Sequence, residues 1–452
     1  MKNAIISDAK PYFLSQAILD LEKNAQICIK SLIVFDKFAP VSHKNKIWWF
    51  DLVFSSCIWE QSVNLTQNEI DLILKNYHIL EQNLNREKLV ELLPPYEIKN
   101  IIFKFALFFK MQIIQNDVQI VIFKDVPHGP FDLLLYIMAK SLKIKTLFFM
   151  AVNENLSNLY ENLDDIGKFE LNRTDKFDLE QKYEKNLPYM KKPSFKDKLS
   201  KKAKILNLPK YIKHKNLTRQ SSKILYDDFW SYLNLHIIRK LKRIESKRIY
   251  KKLYKANFNA KINKNDKFVY FPLHLQPEAT TDTLGGIYCD QILAIEKLRA
   301  ILPKEMKIYI KENPKQTFYM REKHFFDRLK NIPNIVLLSK DTNTYELMKD
   351  CEFVATITGT AGFEAISGGK RALVFGLAWY RFFEGVSIYE EGIKFEEIMS
   401  KKIDFEKLKN QLFCYFNNAK NIAISEYQAN LNANFNKQSN LKQIQKEILK
   451  YL

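Results

Sequence analysis

At 452 residues, with 46% apolar and 13% aromatic side chains, the chain is long enough for two domains with their own cores, and its composition excludes a disordered protein. Five scattered cysteines (Cys28, Cys57, Cys289, Cys351, Cys414) form no CxxC pair, which excludes a zinc ribbon or a disulfide framework and fits a reducing cytoplasm. The net charge of +20 is carried almost wholly by residues 191–264, where 23 Lys/Arg face 4 Asp/Glu, so contact with a polyanion or an anionic membrane surface is expected there, but no nucleic-acid binding by the whole chain.

The start, MKNAIISDAKPYF, has no apolar h-region, and no run approaches about 18 uninterrupted apolar residues, so neither a signal peptide nor a membrane span is expected. Gln26 to Phe35 reads as a strand, and Lys46 to Ile58, dense in aromatics, as core. Thr66-Gln67-Asn68-Glu69 is a capping box opening a helix expected to reach Asn85, and Leu93-Pro94-Pro95 ends the segment after it. Val118 to Lys124 is the clearest strand of this half, followed by Asp125-Val126-Pro127-His128-Gly129-Pro130, a helix over Phe131 to Leu142 and a strand from Thr146 to Met150. This βαβ pattern puts Asp125 and His128 at the carboxyl end of a strand, where open α/β sheets bind ligands, and makes them candidates for acceptor binding and proton transfer.

Asn153 to Pro188 is polar and poor in pattern, and reads as loops with short helices. Within the basic stretch, Ser222 to Tyr254 has helical spacing, with Lys and Arg between apolar positions, as in a helix lying on anionic lipid. From Asp266 strands and helices alternate: strands at Lys267 to Pro272, Lys307 to Lys311, Asn334 to Leu338, Phe353 to Ile357 and Arg371 to Phe375, with helices expected over Tyr288–Leu302, Tyr319–Leu329, Asn343–Lys349 and Phe363–Ile366. The order predicts a doubly wound parallel sheet, and Phe405 to Leu452 reads as mostly helical. Nine of the 11 glycines lie between Gly285 and Gly392, which concentrates special backbone positions in this half.

The polar clusters after these strands form the candidate site. One offers His274, Gln276, Glu278, Thr280 and Thr281; a second Lys311, Glu312 and Asn313; a third the turn Thr358-Gly359-Thr360-Ala361-Gly362 with Glu364 behind it. Backbone N–H groups and hydroxyls at a helix start, next to a strand-end lysine, suit a phosphate. Glu364 is placed to accept ribose hydroxyls, which leaves His274, Gln276 and Glu278 for the sugar or the leaving group. No metal site is expected.

VYFPLHLQPEATTDTLGG, then IYIKENP, then TITGTAGFEAISGGKRALVFGLAWY resemble the capsule polysaccharide biosynthesis family, related to bacterial capsule and lipopolysaccharide Kdo transferases. The likeness spans roughly residues 266–385. It implies a GT-B architecture, an α/β fold of two Rossmann-like domains facing a cleft. The expected division is 1–190 on the acceptor side, a basic helical segment at 191–264, a nucleotide-sugar domain at 265–410 and terminal helices at 411–452. It also implies metal-independent sugar transfer without a resident cofactor, from a nucleotide-activated donor to a glycan or lipid-linked acceptor; the cysteine usage and the basic helix add the expectation of a cytoplasmic protein peripheral to the inner membrane. Where the family usually carries Lys-Glu-His-Pro, this chain has Lys311-Glu312-Asn313-Pro314, so a cationic phosphate contact becomes at most a neutral one. A phosphoryl-type group transferase, a nucleotide-sugar epimerase and a non-catalytic assembly scaffold are the alternative readings.

Overall fold

The structure is a computed structural model that describes residues 1–35, 39–48, 63–85, 95–129, 131–153, 156–171, 229–431 and 435–452. Two sheets organise it. The first holds β1 (Lys2–Asp8), β2 (Ile27–Val34), β3 (Lys46–Trp48), β4 (Ile120–Phe123), β5 (Lys145–Asn153) and β6 (Leu156–Tyr160). The second holds β7 (Phe268–Pro272), β8 (Lys307–Lys311), β9 (Ile335–Leu338), β10 (Phe353–Thr356), β11 (Arg371–Val374) and β12 (Val386–Ile388). A short β13 (Lys420–Asn421), from the far end of the chain, returns to the edge of the first sheet beside β6.

The spatial orders are β13-β6-β5-β4-β1-β2-β3 and β12-β11-β10-β7-β8-β9. Every ladder of the second sheet is parallel, and so are those joining β1 to β5 in the first; only β6 runs against the rest, antiparallel to both β5 and β13. Each order reverses at one place, between β1 and β4 and between β7 and β10, which is the doubly wound Rossmann pattern repeated twice. The expected GT-B-like α/β class is what the chain forms. The central strands read IVIF, FVYFP and FVAT because both faces are covered, which leaves no polar alternation. Val269, Phe271, Ile308, Ile310 and Ala355 fill one face of the second sheet, and Phe268, Tyr270, Tyr309 and Val354 the other.

Several boundaries differ from the sequence reading. The capping box at Thr66 forms as expected, with Thr66 N–H donating to Glu69 at 2.6 Å, but its helix is Gln67–Lys75 and stops at Asn76, and a separate helix, Tyr77–Asn85, follows. The segment expected to end at Leu93-Pro94-Pro95 lies, up to residue 94, outside the described residues. Pro95 opens the 21-residue helix Pro95–Gln115, where a first-turn proline lacks only an N–H that has no intrahelical acceptor anyway. The helix expected from Tyr288 starts at Gln291, capped by Asp290, whose carboxylate accepts from Ile292 and Leu293 N–H. Of the basic segment, residues 191–228 lie outside the described residues, as does the aromatic stretch beyond Trp48; residues 229–257 form the helix Phe229–Asn257, seated on the second core through Tyr250, Leu253 and Tyr254.

The terminal segment does not form a region of its own. The Phe405–Asn418 helix packs beside Tyr380 and Phe383, then the chain crosses back. After β13 the Lys437–Leu449 helix lays Leu441, Ile444 and Ile448 on the core around the Phe13–Lys23 helix of the first domain. The domains also meet through loops: Leu284 and Cys289 enter the first domain's core, and Arg381 Nη2 donates to Asp164 O at 2.6 Å.

Candidate active site

The carboxyl edge of the second sheet, at the reversal between β7 and β10, gathers part of the expected constellation. His274 follows β7 and is buried. Its Nε2 lies 2.8 Å from Thr356 Oγ1 and accepts the Ile357 N–H at 3.3 Å, while Nδ1 lies 3.2 Å from Thr281 Oγ1. Since the Ile357 N–H can only donate, Nε2 carries the lone pair, Nδ1–H donates to Thr281, and the Thr281 hydroxyl passes on to Leu275 O at 3.4 Å. Burial, with the Arg321 charge adding to it, pushes the imidazole down to about 4, so the ring is neutral. Both nitrogens are engaged within the protein. In this arrangement the ring ties the β7 loop to the end of β10.

The turn it supports is shorter than the sequence implied. Gly359 caps a helix that already begins at Thr360 and runs to Ser367, so Thr360, Ala361 and Gly362 form its first turn. Gly359 N–H donates to Thr356 Oγ1 at 3.3 Å, Thr358 Oγ1 donates to Thr280 O at 3.2 Å, and the Tyr380 hydroxyl donates to Gly359 O. A Cβ on Gly362 would run into the Tyr380 ring, and one on Gly376 would sit 2.5 Å from Leu284 O. These two glycines let neighbouring segments approach the turn. Glu364, one turn into the helix, accepts from Thr360 Oγ1 at 3.5 Å; burial pushes its carboxyl up to about 7, partly offset by that bond. Glu278 and Thr280 are exposed at the start of the Ala279–Gly285 helix.

Lys311 does not reach the turn as expected. Its buried ammonium donates to Thr344 Oγ1 at 2.6 Å, at the start of the Thr344–Asp350 helix, and burial holds its pKa below the usual lysine range. A ligand phosphate would have to draw it from that bond.

Gln276 and Glu312 answer to a different partner. Arg321, with no exposed side-chain surface, donates from Nε to Glu312 Oε2 at 2.8 Å and from Nη1 to Gln276 Oε1 at 3.2 Å, and stacks 4.3 Å from the Phe325 ring centroid. Gln276 also donates to Cys289 O at 2.6 Å and accepts from Gln291. Together these side chains form a buried network that fixes the loops after β7 and β8. Asn313 Oδ1 accepts Lys315 N–H at 2.9 Å in the adjoining turn.

In the first domain, Asp125 and His128 lie where expected, after β4, and line a cavity of about 220 Å³ with Ser7, Asp8, Phe35 and Asn83. His128 Nδ1–H donates to Val126 O, which leaves Nε2 with its lone pair. Asp8 and Asp132 went unremarked in the sequence, although Asp8 ends a strand at the sheet's reversal. Among the described residues, no three His, Cys, Asp or Glu side chains group so as to hold a metal ion.

Residues 169–427, more than half of the chain, match the family model described as capsule polysaccharide biosynthesis protein. The chain belongs to that family. The match takes in all of the second sheet and the loops that build the site at its carboxyl edge. A search of curated proteins finds no match. Among solved structures, the chain is similar to KpsC, a β-Kdo 2,7-transferase of Thermosulfurimonas dismutans, at 9% identity over 85% of this chain and 98% of that one, with a TM-score of 0.32. It is also similar to UDP-GlcNAc 2-epimerase of Neisseria meningitidis bound to UDP-GlcNAc (15% identity, 100% and 99% covered, TM-score 0.23). A third likeness is to the epimerase of Methanocaldococcus jannaschii (13% identity, 91% and 98% covered, TM-score 0.24). At such identities and scores these likenesses carry no function across; family membership rests on the sequence match.

Proposed function

We propose that this capsule-family protein is a glycosyltransferase that moves a sugar from a nucleotide-activated donor to a glycan or lipid-linked acceptor. The observation that carries the reading is the start of the Thr360–Ser367 helix at the β7/β10 reversal, with the Glu364 carboxyl one turn behind it. First-turn N–H groups and the Thr358 and Thr360 hydroxyls suit the donor phosphate, and Glu364 suits ribose hydroxyls. Lys311 adds the positive charge once it leaves Thr344. In the step itself, the acceptor hydroxyl loses its proton to His128 Nε2 or Asp125, its oxygen bonds to the anomeric carbon, and the carbon–oxygen bond to phosphate breaks with its electron pair going to the phosphate. Stabilising that departing charge is the main electrostatic task, and here helix N–H groups and one ammonium perform it without a metal ion.

The reading is tested by thermal shift with CMP, CDP, UMP, UDP and their sugar conjugates, followed by turnover with and without glycan acceptors and with EDTA present. Stabilisation by one nucleotide class and acceptor-dependent, EDTA-resistant turnover are expected. No stabilisation by any of them would leave the scaffold reading; epimerisation or hydrolysis without acceptor would favour the epimerase.

The same reading gives the Phe229–Asn257 helix a place at an anionic membrane surface. Away from buried Tyr250 it exposes Leu241, Ile244 and Ile249 (61%, 49% and 46% exposed) among Lys247, Arg248 and Lys252. No described helix is long and apolar enough to cross a membrane. Co-sedimentation with phosphatidylglycerol vesicles that fades with salt is expected; equal binding to phosphatidylcholine vesicles would count against it.

A further inference from the structure

Tyr380 is fully buried and has no part in the step described above, yet its hydroxyl reaches the turn that does. It donates to Gly359 O, the carbonyl of the residue that caps the Thr360–Ser367 helix. Burial, with the Glu364 charge adding to it, pushes the phenol above its ordinary range, although Gly362 and Phe363 N–H lie near enough to lower it somewhat. The hydroxyl therefore keeps its proton for that bond. The ring itself is clamped. Phe363 and Trp379 pack on it at centroid distances of 6.0 and 5.4 Å, and Gly362 leaves the room it fills. Its loop is held on both sides, through Leu377 packed on the first domain's core and through Arg381 on Asp164 O.

The bond matters because of the other edge of the same peptide. A trans peptide is planar, with its C=O and the next N–H pointing opposite ways. Holding Gly359 O against the buried phenol turns the Thr360 N–H away from that phenol. The peptide before it is fixed by a second side chain: Thr356 Oγ1 accepts the Gly359 N–H at 3.3 Å and hands its own proton to His274 Nε2 at 2.8 Å. Both peptides flanking Gly359 are thus set from outside the turn, by Thr356 at the end of β10 and by Tyr380 in the loop after β11. A glycine without such ties is free to turn its neighbouring peptides, and a half-turn here would aim a carbonyl oxygen where a phosphate needs an N–H.

We infer that Tyr380 is a positioning residue of the phosphate seat, its hydroxyl holding the Gly359–Thr360 peptide with the N–H edge toward the donor phosphate. The inference rests on the transferase reading, which puts that phosphate at the helix start, and it names what keeps the seat in shape. Tyr380 acts through the turn and touches no substrate.

The test is titration calorimetry of the full chain with cytidine, CMP and CDP and with uridine, UMP and UDP, so that affinity for the phosphate is read as the ratio of nucleotide to nucleoside binding. Wild type should bind the phosphorylated form of one base at least tenfold more tightly than its nucleoside. Tyr380→Phe, which removes only the hydroxyl, should cut that ratio roughly three- to tenfold, the worth of one hydrogen bond, and leave nucleoside affinity unchanged. Phe383→Leu, in the same aromatic cluster, should lower the melting temperature and keep the wild-type ratio. An unchanged ratio in folded Tyr380→Phe, an equal fall for nucleoside and nucleotide, or the same loss of ratio in Phe383→Leu overturns the inference. The two readings fail differently. A wild type without preference for the phosphorylated ligand removes the phosphate seat and Tyr380's role with it; a preference that survives Tyr380→Phe removes only that role. A Tyr380-dependent preference without acceptor-dependent turnover removes the transferase and leaves the positioning role standing.

Discussion

His274 Nε2 and Thr356 Oγ1, 2.8 Å apart, join the loop after β7 to the end of β10 across the reversal of the second sheet. The bond requires a neutral ring, because a protonated Nε2 could accept neither the Thr356 hydroxyl nor the Ile357 N–H. The folded pKa of about 4 lies below the unfolded value of 6.5, so the unfolded chain binds the extra proton first as pH falls. Stability should therefore be level above about pH 7 and drop by up to about 3 kcal/mol between pH 6.5 and 4 from this group alone. Urea midpoints at pH 7.5 and 5 check this: His274→Gln should be less stable at pH 7.5 but lose less on acidification. An unchanged pH slope in the variant would mean that the ring is not held neutral.

Asp8 has the opposite sign. Burial raises its carboxyl from 3.8 to about 6, so the folded state binds the proton more tightly and stability is lost as pH rises from about 4 to 6. Above pH 6 the full cost, up to about 3 kcal/mol, is present. Asp8→Asn should raise the melting temperature at pH 7.5, and less so at pH 4.5. Melting curves of wild type and variant at the two pH values check this; an equal gain at both would mean that burial does not raise the carboxyl.

The Arg321–Glu312 pair lies wholly inside the protein, which makes its integrity a matter of folding. Arg321→Met should cost about 3–5 kcal/mol by leaving Glu312 buried without its counter-charge, and Arg321→Met/Glu312→Gln should recover part of that loss. Denaturant melts of the two singles and the double measure the coupling. A double variant no better than the sum of the singles would show that the two side chains act separately.

Lys311 and Thr344 give a graded test of the phosphate site. Lys311→Met should weaken nucleotide binding roughly 10- to 100-fold, the worth of a hydrogen bond to a charged group. Thr344→Val frees the ammonium from its 2.6 Å bond and should leave nucleotide binding intact or tighter. Titration calorimetry of both variants decides it: weaker binding in Thr344→Val alone would place the phosphate elsewhere.

Much of the fold was legible because its strands are buried on both faces. IVIF, FVYFP and FVAT leave no alternative to a covered parallel sheet, and the Thr66 capping box states its own geometry. The site was legible as a place more than as a set of roles. A polar cluster after a strand looks the same whether its side chains face a ligand or one another. Gln276 and Glu312 read as ligand contacts because their partner, Arg321, falls inside the expected helix Tyr319–Leu329, whereas the helix starts only at Lys323 and leaves Arg321 in the loop before it. Asp8 gave no local signal, since one carboxylate after AIIS gains meaning only once β1 stands beside β4. Pro95 shows the other use of the residue: a proline marks a helix start as readily as the end of what precedes it, and the chain beyond it decides for the start.

The returning tail has a practical consequence for anyone dividing this protein. Because β13 and the Lys437–Leu449 helix complete the first domain, the polypeptide bridges the two halves twice, once outward and once back. The stretch from 169 to 427 that defines the family is therefore not an excisable module: it would begin outside the first sheet and stop before the helix that covers it. Expressing either half alone strands apolar surface, because each core holds side chains supplied from the far stretch of the chain.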